Sequence, residues 1–438
     1  MDIKISLACQ QQAKKYIPGM GNLLSKRPDM FSLGVWPAYY SKAQGAEIWD
    51  LDGNRYVDMS IGGIGANVLG YADPDVNAAV IVAINCGSSS SLNCPQEVEL
   101  AQEICRLHPW AQMARFVRSG GEAMAVAVRI ARAHSGRDMV AICGYHGWHD
   151  WYLAANIGTE NALGEHLLPG LSPVGVPKAL AGSVLTFRYN QIDELRNIIV
   201  EHKEKLAAII MEPVRNIWPQ PGFLESVKAL AKECGAVLIF DEISSGFRMN
   251  TGGAHRLFGV DPDIAVFSKA LGNGFPIAAV IGRANVMESA QKTFISSTMW
   301  TERVGPTAAL ATIRKHRDND VGKHLMAIGQ SVQEGWAAAA AKAGLEITVG
   351  GIFPLSHFGF TGMDPLVAKA FFVQEMLERG FLASNLFYSM YAHTKAHVDS
   401  YLKATAEVFA DIRRYADAGN LEKFLRGSPS SAGFKRVT

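Results

Sequence analysis

Two charges stand where charge is costly. Lys269 follows the apolar run Ile264-Ala265-Val266-Phe267 inside Val-Phe-Ser-Lys-Ala-Leu-Gly-Asn-Gly (266–274), and Asp241 closes Val237-Leu238-Ile239-Phe240. Lysine is rarely buried without a partner or a reaction to perform. An apolar site destabilises the ammonium, so the amine reaches its neutral form more easily and can condense with a carbonyl as a Schiff base. An aspartate delivered from a neighbouring strand end could pair with a pyridinium nitrogen. Each residue also has a plainer reading, a helix N-cap for Asp241 and a solvated helix start for Lys269. Their company decides between the two.

From about 95 to 285, helical segments alternate with short apolar runs at 114–117, 140–142, 184–187, 208–211, 237–240 and 264–267. Strands punctuated by helices predict a mostly parallel sheet covered on both faces. Such sheets bind ligands beyond the carboxyl ends of their strands. The first run ends in Ser119-Gly120-Gly121 ahead of a helical segment. That is a cradle for phosphate, where backbone N–H groups approach closely and a helix N-terminus favours the anion, or simply a serine N-cap. The second ends in Gly144-Tyr145-His146-Gly147-Trp148-His149. Tyr145 could stack on a flat cofactor or fill a core edge, and His146 could stack or act as acid or base. A third run ends in Glu212-Pro213-Val214-Arg215-Asn216. Glu212 needs a cation or donors, in a supporting ion pair or toward a substrate, and Asn216 is expected at the cofactor. Phosphate cradle, stacking ring, carboxylate and lysine are together the parts of a pyridoxal phosphate (PLP) site.

The chain has 438 residues with 48% hydrophobic content, enough to bury one large domain and one or two small ones. Its 42 basic and 41 acidic residues show no long like-charge block, which argues against nucleic acid or a membrane surface and for a small-molecule substrate. Six scattered cysteines lack metal-ligand spacing, and His146 and His149 have no third ligand, so no metal is expected. The N-terminus lacks a signal-peptide pattern, and a cytoplasmic location is expected. Residues 1–70 form the N-terminal segment of a small domain, with a hairpin of 46–50 and 55–59 about Asp52-Gly53, a glycine-rich stretch at 62–65 and a helix from about Asp73. Residues 71–305 form the large domain. Residues 306–438 form the C-terminal part of the small α+β domain: helices, strands at 346–349 and 358–360, and a loose tail over the last dozen residues.

With these residues laid out, the chain resembles the class III, fold-type I PLP aminotransferases, and looks closest to the glutamate-1-semialdehyde aminomutase-like branch. The similarity runs from about Tyr39 to Thr394 and rests on Trp-Asp-Leu-Asp-Gly-Asn (49–54), Ser-Gly-Gly-Glu-Ala (119–123) and Gly-Tyr-His-Gly-Trp-His (144–149). Phe-Asp-Glu-Ile-Ser-Ser-Gly-Phe-Arg (240–248) and Phe-Gly-Val-Asp-Pro-Asp-Ile…Ser-Lys-Ala-Leu-Gly-Asn-Gly (258–274) are its most specific pieces. The resemblance implies Lys269 as the Schiff-base lysine and Asp241 as partner of the ring nitrogen. It implies Ser119, Gly120 and Gly121 as the phosphate loop, Tyr145 as the stacking ring and Ile243 as the apolar group on the other face. Thr301, ahead of Gly305-Pro306, matches a threonine that reaches the cofactor phosphate of a neighbouring subunit, so a homodimer is implied. Two positions depart from the pattern. Gly121 replaces a threonine, removing a hydroxyl from the phosphate cup, and Trp300-Thr301-Glu302-Arg303 replaces a smaller loop.

The reading is amino-group transfer from an amino-acid donor to an aldehyde or keto acceptor, with Arg215 or Arg303 as candidates for acidic substrate groups. The bulky, charged 300–303 loop favours intermolecular transfer over a second reading, an intramolecular aminomutase. A third, from another class, is a non-catalytic PLP-fold binding protein, against which the retained lysine and aspartate argue.

Overall fold

The computed structural model describes residues 2–159, 161–166 and 169–433. The chain divides into two compact units, one of residues 74–322 and one of residues 1–73 with 323–438.

The larger unit is built on a seven-stranded sheet. Its strands lie in the order Met113–Val117, Ala278–Gly282, Ile264–Phe267, Val237–Asp241, Leu206–Met211, Met139–Cys143, Val184–Thr186. All residues of Leu206–Met211 and Val237–Asp241 are buried, as expected of strands covered on both faces. Alternate side chains serve opposite layers. Ile210, Ile239 and Val266 pack under the helix Gly120–Ser135 with Met124, Val126 and Ile130. Ile209, Leu238 and Phe240 pack with Leu195 and Ile199 of Ile192–His202 and with Leu224 and Val227 of Phe223–Cys234.

One strand, Ala278–Gly282, was not expected. It runs antiparallel to both Met113–Val117 and Ile264–Phe267, whereas the other pairings are parallel. Two reversals cancel, so Met113–Val117 points the same way as the parallel strands. The carboxyl ends preceding Ser119, Gly144, Glu212, Glu242 and Ser268 therefore open on one edge of the sheet, which is what a composite site requires.

The sequence placed a boundary at 305/306, but the compact units divide at 322/323. The helix Val304–Asp318 buries a small-residue face that includes Ala308, Ala309 and Thr312, and packs on the helices Pro74–Asn85 and Pro95–Leu107 of the larger unit.

In the smaller unit, the hairpin Glu47–Asp50 with Arg55–Met59 is antiparallel as predicted. Its turn is tied by Asp50, whose Oδ1 accepts from Asp52 N at 2.9 Å and Asn54 N at 2.8 Å. Tyr40–Gln44 extends this sheet on one side, and Phe381–Ala383 pairs in parallel with Arg55–Met59 on the other. That pairing knits the two ends of the chain into one α+β unit. A second sheet holds Ile347–Gly350, Leu355–Phe360 and Leu386–Tyr388. The expected loose tail is instead tied down over its first residues. Ser428 N donates to Leu33 O at 3.0 Å, Ser430 N to Leu366 O at 3.2 Å and Ser431 N to Asp29 O at 2.7 Å. Residues 434–438 lie outside the described residues. No described helix is long and apolar enough to cross a membrane.

Candidate active site

Lys269 opens a short 3-10 turn, Lys269–Gly272, after the strand Ile264–Phe267, and has φ +46°. A non-glycine residue in this left-handed region is strained, and such strain persists where surrounding structure imposes it, often at functional sites. Its Nζ donates to Ser244 Oγ at 2.8 Å. Burial, reinforced by the Arg215 charge, pulls the Lys269 amine down to about 7, while Glu212 and Asp241 oppose the shift. The amine is thus brought to where the neutral, nucleophilic form is populated near neutral pH.

Asp241 ends the strand Val237–Asp241 and is 2% exposed. Both of its oxygens are held. Oδ2 lies 2.8 Å from His146 Nδ1, and Oδ1 accepts from Ile243 N at 3.0 Å. His146 is itself buried, and its Nε2 has no partner among the described residues. His146 thus clasps the aspartate through Nδ1. Tyr145 is half-buried, edge-on to Tyr152 with ring centroids 5.8 Å apart.

Glu212 is buried and pairs with Arg215 at 3.2 Å, and its Oε2 accepts from Tyr145 N at 3.4 Å. It is a supporting ion pair that fixes the Tyr145 backbone, and it sets the Arg215 charge beside Lys269. Asn216 lies exposed in the following bend and takes no part in the bonds that tie this cluster.

At the start of the helix Gly120–Ser135, the Glu122 carboxylate turns back on Ser119. It accepts from Ser119 N at 2.9 Å and Ser119 Oγ at 3.1 Å, so this hydroxyl serves the cap. The glycines explain themselves by contact. A Cβ on Gly120 would lie 2.9 Å from Ile243 Cδ1, and one on Gly121 would lie 3.0 Å from His149 Cε1 and 3.1 Å from its Nδ1. His149, stacked on Trp148 with centroids 4.4 Å apart, occupies the space into which a threonine at 121 would extend.

Thr301 is exposed, its Oγ1 donating to Thr298 O at 2.9 Å. It lines a cleft of about 450 Å³ with Glu97, Val98, Arg115 and Trp300, and neither Lys269 nor Asp241 lines that cleft. Arg303 donates to Cys86 O at 3.2 Å.

The residues fit PLP, the cofactor that the resemblance implies. A buried carboxylate, an amine near neutrality and a helix start pared to glycine by close neighbours are the partners that a pyridinium, an aldehyde and a phosphate need. The contacts of Ser244 with Lys269 and of His149 with Gly121 were missed by sequence reasoning. Ser244 lies within a motif already singled out, but nothing in its spacing points to Lys269.

Residues 32–382 match the family described as aminotransferase class-III. The chain belongs to that family. It is 36% identical over 316 residues to a 3-aminobutyryl-CoA aminotransferase of Cloacimonas acidaminovorans, covering 70% of this chain and 72% of the relative. It is 33% identical over 438 residues to a glutamate-1-semialdehyde 2,1-aminomutase of Desulforapulum autotrophicum, covering 94% and 100%. An omega-transaminase from Sphaerobacter thermophilus superposes with a TM-score of 0.82 at 27% identity, covering 93% of this chain and 98% of that one. This class-III aminotransferase is an enzyme with the α/β fold of its relatives, and the non-catalytic reading falls.

Proposed function

We propose that Lys269 and Asp241 are the catalytic pair of a PLP-dependent aminotransferase that takes an amino group from an amino-acid donor and passes it to an aldehyde or keto acceptor. The observation that carries this reading is a lysine amine brought to about 7 by burial and the Arg215 charge, in the same cluster as an aspartate clasped by His146. PLP, when bound, supplies a carbonyl that condenses with amines and a ring that accepts electrons from the carbon bearing the nitrogen. Lys269 holds the cofactor through its amine and moves the substrate's Cα proton, since a base near neutrality both takes and returns a proton efficiently. Ser244 orients that amine. Asp241, kept in place by His146 Nδ1 and Ile243 N, is the partner for a protonated ring nitrogen. Gly120 and Gly121 open backbone donors to a phosphate, Ile243 packs beside them, and Tyr145 offers its ring face. Of the substrate candidates, Arg215 is the one whose charge is felt at Lys269, and an acidic group would share it with Glu212.

The test is spectroscopic and kinetic. Protein loaded with PLP shows a visible band near roughly 420 nm that amino donors bleach. Lys269→Ala should lose both the band and turnover. A variant that keeps either removes Lys269 from this role.

The full-length similarity to an aminomutase favours intramolecular transfer as a second reading. Conversion of a single substrate by the aminated cofactor form, without any added keto acceptor, distinguishes it.

The proposal includes a homodimer. Thr301 is exposed and lines a cleft that neither Lys269 nor Asp241 lines, which suits a threonine lent to the cofactor of a second copy. Around that cleft Val98, Phe294 and Met299 are exposed, and Ile81, Val82 and Ile84 expose apolar surface on the helix Pro74–Asn85. We place the enzyme in the cytoplasm, where its six unpaired cysteines stay reduced.

A further inference from the structure

The sequence sets an arginine immediately before Ser119-Gly120-Gly121 and a glutamate immediately after Thr301. The fold brings them together. Arg118 Nη2 donates to Trp300 O at 2.7 Å and to Glu302 O at 2.9 Å, the carbonyls on either side of Thr301. Its Nε lies 2.9 Å from Glu302 Oε1. The same carboxylate accepts from Val304 N at 2.6 Å and Gly305 N at 2.9 Å, so it also starts the helix Val304–Asp318. Both side chains are largely shielded, at 13% and 19% exposure. Neither charge is presented to a ligand.

We infer that Arg118 and Glu302 form a positioning clamp that fixes the Thr301 loop to the phosphate loop, so that tight cofactor binding depends on this ion pair. The clamp rests on the PLP reading above. The physical case is preorganisation. A planar guanidinium reaching two carbonyls and a carboxylate holds a loop far better than a flexible ammonium. The phosphate loop begins at the very next residue, so any movement of Arg118 is passed to it. In the proposed dimer, the loop that forms one subunit's phosphate site is thereby locked to the threonine lent to its neighbour. The clamp also accounts for the unusual Trp300–Arg303 loop: its acidic charge faces inward to Arg118, not outward to substrate.

The experiment titrates PLP into the full-length protein, following the visible band, for the unaltered chain, Glu302→Gln, Arg118→Lys, Thr301→Ala and the Glu302→Gln/Thr301→Ala pair. Glu302→Gln keeps the size and removes the charge, and Arg118→Lys keeps the charge and removes the fork. Each should weaken PLP binding by about tenfold or more, since displacement of a positioning loop by about an ångström has effects of that order. At saturating PLP the donor half-reaction should stay within about twofold of the unaltered rate, because the reacting groups are untouched. In the Thr301→Ala background, Glu302→Gln should add less than it does alone, since part of its effect passes through that loop. Unchanged affinity in both single variants overturns the clamp, as does full additivity with Thr301→Ala. Should Glu302→Gln fail to fold, Arg118→Lys decides alone, its affinity loss supporting the clamp and its absence refuting it. Absence of the band in the unaltered protein overturns the cofactor reading itself, an outcome distinct from a normal band with unaffected variants.

Discussion

Lys269 pays for its reactivity in stability. Its amine ionises at about 7 in the folded chain against an ordinary 10.5, so between these values the unfolded chain binds the extra proton. Stability of the cofactor-free protein should therefore rise with pH across that window, the penalty being fully present below about 7. Replacing Lys269 by Met should stabilise the cofactor-free protein at pH 6.5 by something on the order of 2 kcal/mol, with the gain shrinking toward pH 10.5. Urea unfolding at several pH values measures it, and a gain that grows with pH contradicts it. Gly121 makes a second residue-level case. Restoring a threonine there puts a branched side chain against His149. Gly121→Thr should lose about 1–3 kcal/mol through overpacking, and Gly121→Thr with His149→Ala should recover most of it. Thermal unfolding of the single and double variants reads this directly.

The elements owe their positions to buried polar ties as well as to apolar packing. Behind the strand Val237–Asp241, Glu242 Oε1 accepts from His255 Nδ1 at 2.7 Å and His255 N at 2.9 Å, and Oε2 from Ser245 Oγ at 2.6 Å. Trp110 Nε1 approaches His255 Nε2 at 3.0 Å. An indole nitrogen only donates, so His255 Nε2 accepts and Nδ1 carries the proton given to Glu242. Burial alone would raise the Glu242 carboxyl, but the hydrogen bonds from His255 and Ser245 outweigh it and hold it below the ordinary 4.5. The stability this carboxylate supplies is therefore complete above about 4.5 and is lost as pH falls below that value. His255→Ala strands the charge and should cost about 3–5 kcal/mol, displacing the turn that leads from Asp241 to Ser244. Chemical denaturation at pH 7 checks the size, and a loss under 1 kcal/mol, the scale of a surface pair, would contradict it.

At the scale of the whole molecule, the proposed dimer makes the sharpest demand. Apolar side chains left exposed on the helix Pro74–Asn85 need cover, and Val82 is 63% exposed. Val82→Glu should shift the protein toward a monomer in sedimentation or light scattering. PLP affinity should fall with it, because a monomer cannot receive the partner's threonine. A monomeric, fully active unaltered protein would end the two-subunit reading.

The strand-end positions of Asp241, Lys269 and Tyr145 were legible in the sequence because each follows a buried apolar run, and burial on both faces writes itself as an unbroken hydrophobic string. So were the hairpin about Asp52-Gly53 and the helix at Gly120, whose turn and cap chemistry is local. The strand Ala278–Gly282 was not legible, because strand direction is decided by neighbours in the sheet and leaves no mark on composition. The His146–Asp241 clasp, the Ser244 bond to Lys269, the seat of His149 over Gly121 and the Arg118–Glu302 pair likewise join residues from 25 to 184 positions apart. Sequence by itself determined which residue types stand at the strand ends, and hence the chemistry available there. Only the tertiary structure decided which charges meet, because a buried charge finds its partner through the crossing of strands and loops in space.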